Sequence, residues 1–81
     1  MIEVDVFVPA LKKTYDFELD EHTSVANIIE EIVEMVCQNE HRAARSEDKF
    51  ELCCPKRKII CRHDATLDDY SVDNGDMLML I

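Results

Sequence analysis

Glycine is almost absent: Gly75 is the single one in 81 residues, beside two prolines and no tryptophan. One glycine cannot build a P-loop or a dinucleotide fingerprint, both of which need several to bring backbone close to phosphate. A G-x-S-x-G nucleophile elbow is missing for the same reason. So few breakers also leave no room for a flexible linker or a low-complexity segment, and no internal repeat is visible. Long apolar runs are lacking too. The longest is MLMLI, residues 77–81, against the roughly 20 residues of a membrane-spanning helix. Basic charge is scarce, nine Lys and Arg against eighteen Asp and Glu, for a formal charge of −9. A field of that sign repels a phosphate backbone, and Lys56, Arg57 and Lys58 form too short a cluster to reverse it, so no nucleic-acid partner is expected. Glu3 and Asp5 follow Met1 where a secretory leader needs basic residues, which points to a cytoplasmic protein with no direct membrane insertion.

What is present is a hydrophobic share of 47 per cent, enough for one core, and the length suits one domain spanning residues 1–81. Four cysteines in a cytoplasmic chain read as reduced, small apolar residues. Cys53, Cys54, Cys61 and His63 gather four soft ligands in eleven residues. However, structural zinc sites pair ligands two to four residues apart, whereas neighbours in a strand point to opposite faces. Cys54 and Cys61 are expected inward and Cys53 outward, with no metal and no cofactor. Glu30, Glu31, Glu34 and His41 do not make the H-E-x-x-H of a zinc hydrolase. His22, His41 and His63 have no partner that sequence identifies. No catalytic residue is expected.

Alternation defines the first elements. Ile2, Val4, Val6 and Val8 share one face, Glu3, Asp5 and Phe7 the other, and Pro9 ends the strand. Tyr15, Phe17 and Leu19 alternate with acids in a second strand, joined by a hairpin loop over residues 10–13. From Val25 the period changes to 3.6: Val25, Ile28, Ile29, Ile32 and Val36 form a stripe opposite Asn27, Glu30, Glu31 and Glu34. Ser24 is the expected N-cap. Periodicity fades over residues 37–39, and residues 40–48 read as a charged loop. Strands over 49–54 and 59–62 flank a turn at 55–58, in a register that sets Cys54 against Ile59, Leu52 against Cys61 and Glu51 against Arg62. Phe50, Leu52 and Cys54 then face inward. An irregular link follows, with Asn74 and Gly75 supplying positive φ before the last strand.

The order strand, strand, helix, strand, strand, link, strand is that of an α+β β-grasp, a mixed sheet of four to five strands on one helix. Two motifs carry a resemblance. Thr66-Leu67-Asp68-Asp69-Tyr70-Ser71-Val72 resembles the ubiquitin superfamily's TL-x-DY-x-hydrophobic segment, and Asn74-Gly75-Asp76-Met77-Leu78 its x-G-D-x-L continuation. Together with the short length and acidic balance, these make the chain most similar to the YukD-like ubiquitin-like proteins of bacterial type VII (WXG100, ESX) secretion. The resemblance implies a cytoplasmic, non-enzymatic accessory protein that binds other proteins without being conjugated. A modifier or sulfur carrier needs a mobile Gly-Gly end, and here the last residue is Ile81, which makes that alternative an unfavoured one beside a generic structural or dimerisation module.

The resemblance also implies strand order 2-1-5-3-4, one face under the helix and the other open. On that open face Phe7, Cys53, Ile60, Met77, Met79 and Ile81 are the candidate protein-binding residues. Acids and the Lys56–Lys58 cluster would rim them, while Leu78 and Leu80 turn toward the helix. The implied partners are a cytoplasmic part of the secretion membrane complex, a second copy of this chain as a homodimer, or a soluble regulator.

Overall fold

The computed structural model describes residues 1–39 and 50–81. Strands β1 (Ile2–Val8) and β2 (Lys13–Leu19) form an antiparallel hairpin, helix α1 spans Val25–Asn39, and β3 (Leu52–Cys54), β4 (Ile59–Ile60) and β5 (Met77–Leu80) complete one five-stranded sheet in the order β2-β1-β5-β3-β4. β1 and β5 run parallel at its centre, and the other pairs are antiparallel. This is the β-grasp expected from the change of period along the chain. The charged-loop reading of residues 40–48, with His41 in it, lies outside the described residues.

The core follows directly from the two periodicities. Val4, Val6 and Val8 of β1, Phe17 and Leu19 of β2, Leu52 and Cys54 of β3, and Leu78 and Leu80 of β5 are buried beneath the α1 stripe of Val25, Ile28, Ile29, Ile32 and Val36. Each fully buried aliphatic side chain contributes about 1.5–3 kcal/mol, so this shared stripe dominates the stability of a helix whose last turn has no basic residue to meet its dipole. The start of α1 is closely held. Asn27 N–H donates to Ser24 Oγ at 3.4 Å, the expected cap, and Val25 and Ala26 N–H donate to the carbonyls of Ala65 at 2.7 Å and His63 at 3.1 Å. Because those donors cannot bond within the helix, the link after β4 satisfies them and ties the helix to the sheet edge.

Several boundaries differ from the sequence reading. β2 begins at Lys13, because Lys12 at φ 54° turns the hairpin sharply enough for pairing to start there. α1 continues through Asn39, past the point where its stripe ends, since the backbone ladder persists without an apolar residue to bury. β4 stops after Ile60 within the expected 59–62: Cys61 N–H still donates to Leu52 O at 2.8 Å, but Arg62 N–H turns to the Tyr70 hydroxyl at 2.9 Å and the ladder ends. β3 is also short, and Phe50 is only partly buried against the core. The link carries a 3-10 turn, Asp68–Tyr70, closed by Ser71 at φ 54°. Of Asn74 and Gly75, only Gly75 takes positive φ, at 85°. Asn74 serves differently: its side-chain Oδ1 accepts the Glu3 N–H at 2.8 Å.

Candidate protein-binding face

The β1–β5–β3–β4 register assembles the face opposite the helix. Phe7 pairs with Met79, Met79 with Cys53, and Cys53 with Ile60. Those four side chains therefore form one row across four strands, because paired residues in adjacent strands project to the same side. Phe7, Met79 and Cys53 are half-buried by their neighbours, while Ile60 at the edge is 58 per cent exposed. Met77, one row away and paired with Asp5, is 48 per cent exposed. Ile81 lies beyond the other side of the row. It exchanges two backbone hydrogen bonds of 2.9 Å with Glu51 and is 51 per cent exposed. All six candidate residues thus lie on or beside one surface. Leu78 and Leu80, their neighbours in β5, are buried on the helix side as expected.

The same register places charge on this surface. Glu3 pairs with Glu18 and Asp5 with Asp16, so two like-charged pairs stand next to the apolar row. The hydrogen bond that protonated Asp5 donates to the Asp16 carboxylate, followed by partial burial and the Asp16 charge, raises the Asp5 carboxyl above the usual range. Sequence reading placed Glu3 and Asp5 at the rim but did not pair them with β2; alternation reveals a face, whereas the pairing needs the hairpin register. At the other side, Lys56 lies 3.7 Å from Asp76, in the turn preceding β5. The expected Glu51–Arg62 pair is replaced. Arg62 donates to Asp64 through Nε at 3.1 Å and Nη2 at 2.9 Å, and Glu51 Oε2 lies 3.0 Å from His63 Nε2. The early end of β4 is the reason, since it removes the cross-strand position that Arg62 would have held. His63 thereby acquires a partner that sequence did not identify.

The cysteines fall as alternation requires: Cys54 and Cys61 are buried, Cys53 is half-buried on the open face, and Cys37 is half-buried on α1, all as free thiols. Burial pushes the Cys61 thiol up to about 11, with Cys54 and Cys53 adding to the effect. Desolvation and the Glu51 charge also raise Cys53. Neither thiol is therefore activated as a thiolate nucleophile. Among the described residues no group of three His, Cys, Asp or Glu side chains converges to hold a metal ion, and no helix is long and apolar enough to cross a membrane.

This geometry has a counterpart among known proteins. The family described as "WXG100 protein secretion system (Wss), protein YukD" matches residues 1–80. The chain belongs to the YukD family. The match takes in every described element except the final residue, including the two motifs before β5. Among solved structures, the EccD5 ubiquitin-like domain from Mycobacterium xenopi superposes with a TM-score of 0.76 at 19 per cent identity, covering 99 per cent of this chain and 91 per cent of that one. At that identity the likeness is one of fold. No curated protein matches the chain. YukD membership links this ubiquitin-like fold to type VII secretion.

Proposed function

We propose that this YukD-family chain is a cytoplasmic, noncovalent adaptor or regulatory component of type VII secretion, residues 1–81 acting as one ubiquitin-like domain, and that it binds a cytoplasmic part of the secretion membrane complex through its open sheet face. The continuous row Phe7–Met79–Cys53–Ile60 carries the reading. A fold this small buries what apolar surface it can, yet it leaves Ile60 in that row, and Met77 and Ile81 beside it, about half exposed. Contiguous apolar surface of this kind marks contact sites, and methionine suits one because its unbranched side chain adapts to the shape it meets. Family membership supplies the secretion context.

Calorimetry tests the proposal with purified cytoplasmic parts of the membrane complex from the same secretion system, titrated with wild type and Met79→Asp. Saturable binding that the substitution weakens by about tenfold or more, roughly 1.4 kcal/mol, supports it. Binding of every such part with unchanged affinity by a folded Met79→Asp protein contradicts it.

A further inference from the structure

The open face is divided chemically as well as being apolar, and the division bears on what can cover it. We infer that its occupant is a basic amphipathic segment of a partner protein, one that sets Lys or Arg side chains beside apolar ones, and not a second copy of this chain. The inference rests on the binding role proposed above and adds the chemistry of the ligand.

Four carboxylates, Glu3 with Glu18 and Asp5 with Asp16, occupy two successive rows of the hairpin on the open side. Like charges set directly opposite each other in a sheet destabilise it. Among the described residues no ion pair engages any of the four, and the carboxyls of Asp5 and Asp16 have only the hydrogen bond between them. The next row along β1 is Phe7 with Met79, and Met77 sits beside Asp5. Alternate residues of a strand are about 7 Å apart, so an apolar group resting on Phe7 and Met79 has carboxylates about 7 Å to one side. One turn of a helix advances about 5.4 Å. An amphipathic helix lying along β1 therefore carries its apolar residue and a Lys or Arg one turn away to matching positions, and the cation meets the row that this chain leaves unbalanced.

The charge argues against the competing occupants. A second copy brings another −9, and of its basic cluster Lys56 is already engaged with Asp76. An anionic membrane or a nucleic acid meets the same repulsion. A basic segment is drawn to the face by the long-range field and held by its apolar row, a division of labour usual at protein interfaces.

The test uses two synthetic probes, an amphipathic peptide of leucine and lysine and its counterpart with glutamate in place of lysine. NMR follows their binding to wild type, to Asp5→Asn/Asp16→Asn, and to Glu30→Gln/Glu34→Gln, a charge-matched control on the exposed side of α1. Amide shifts confined to β1, β2, β5 and β3, with affinity for the lysine peptide reduced about tenfold by the strand pair and little by the helix pair, are expected. Equal losses from both acid pairs would reduce the effect to net charge and overturn the inference. Equal binding of the glutamate peptide on this face would overturn it while leaving the proposed binding face intact. Absence of shifts on the face with either peptide also overturns it, and a dimer in sedimentation that Met79→Asp dissociates names a second copy as the occupant instead.

Discussion

Leu80 and Met79 are adjacent in β5, yet Leu80 is 3 per cent exposed against the helix while Met79 lies half-buried in the row on the open side. The same contrast runs through the whole sheet. Its inner face has one chemistry: aliphatic side chains, Phe17 and the thiol of Cys54 beneath α1. The outer face has two, an apolar row across β1, β5, β3 and β4 and an acidic ladder on β1 and β2. A core needs only volume and dryness, which any close-packed apolar set supplies. A binding surface must also choose a partner, and it does so through the placement of charge.

Substitutions at the two neighbours give the largest contrast. Leu80→Asp buries a carboxylate among apolar side chains and is expected to cost about 4 kcal/mol or more, unfolding a domain of this size, whereas Met79→Asp should change stability by about 1 kcal/mol or less. Urea denaturation of both variants checks this, and similar losses would erase the distinction between the faces. Next come the contacts themselves. Truncating Phe7 or Met77 to Ala should weaken a partner by about 1–2 kcal/mol at unchanged fold, measured by calorimetry.

The two faces should also differ toward alkali and thiol reagents. Cys61, buried on the inner side, ionises near 11 instead of its ordinary 9.0. The unfolded chain therefore loses this proton first, so stability is full below pH 9 and declines as pH rises toward about 11. Cys61→Ala should lower stability at neutral pH, through lost packing, but flatten that alkaline decline. A thiol reagent at neutral pH should label Cys53 before Cys61, because both thiols are raised but only Cys53 is half exposed. Equal rates would place Cys61 outside the core.

The smallest effect concerns the ladder. Asp16→Asn removes one of two facing carboxylates and should raise the melting temperature slightly near neutral pH. Asp5 is raised in the folded protein, so its contribution favours folding below its ordinary value of 3.8 and is lost as pH rises through the folded value. The substitution should therefore matter less in acid. A melting temperature lowered at neutral pH would show that the ladder stabilises the sheet.

Much of this was legible in sequence because the code for it is periodic. Period two placed Val4, Val6 and Val8 inward and Phe7 outward, and period 3.6 gave all five buried residues of the α1 stripe. The open-face set followed once the strand order was supplied by resemblance to a family. What escaped was set by particular polar contacts. Tyr70 ends β4 by accepting the Arg62 N–H, eight residues from it in sequence, and this undoes the Glu51–Arg62 pair. Asn74 reaches Glu3 across 71 residues to fix the turn before β5. The acidic ladder was hidden for a related reason: each acid was visible, but only the hairpin register, set by Lys12 in the left-handed region, stands them opposite one another.

The central claim is that the sheet side opposite the helix is where this YukD-family chain meets its partner. NMR mapping of amide perturbations on adding a purified cytoplasmic part of the secretion membrane complex tests it most directly. Perturbations centred on Phe7, Cys53, Ile60, Met77 and Met79, and lost with Met79→Asp, are the predicted result. Perturbations centred on the α1 surface around Glu30 and Glu34, with the open face silent, would contradict it.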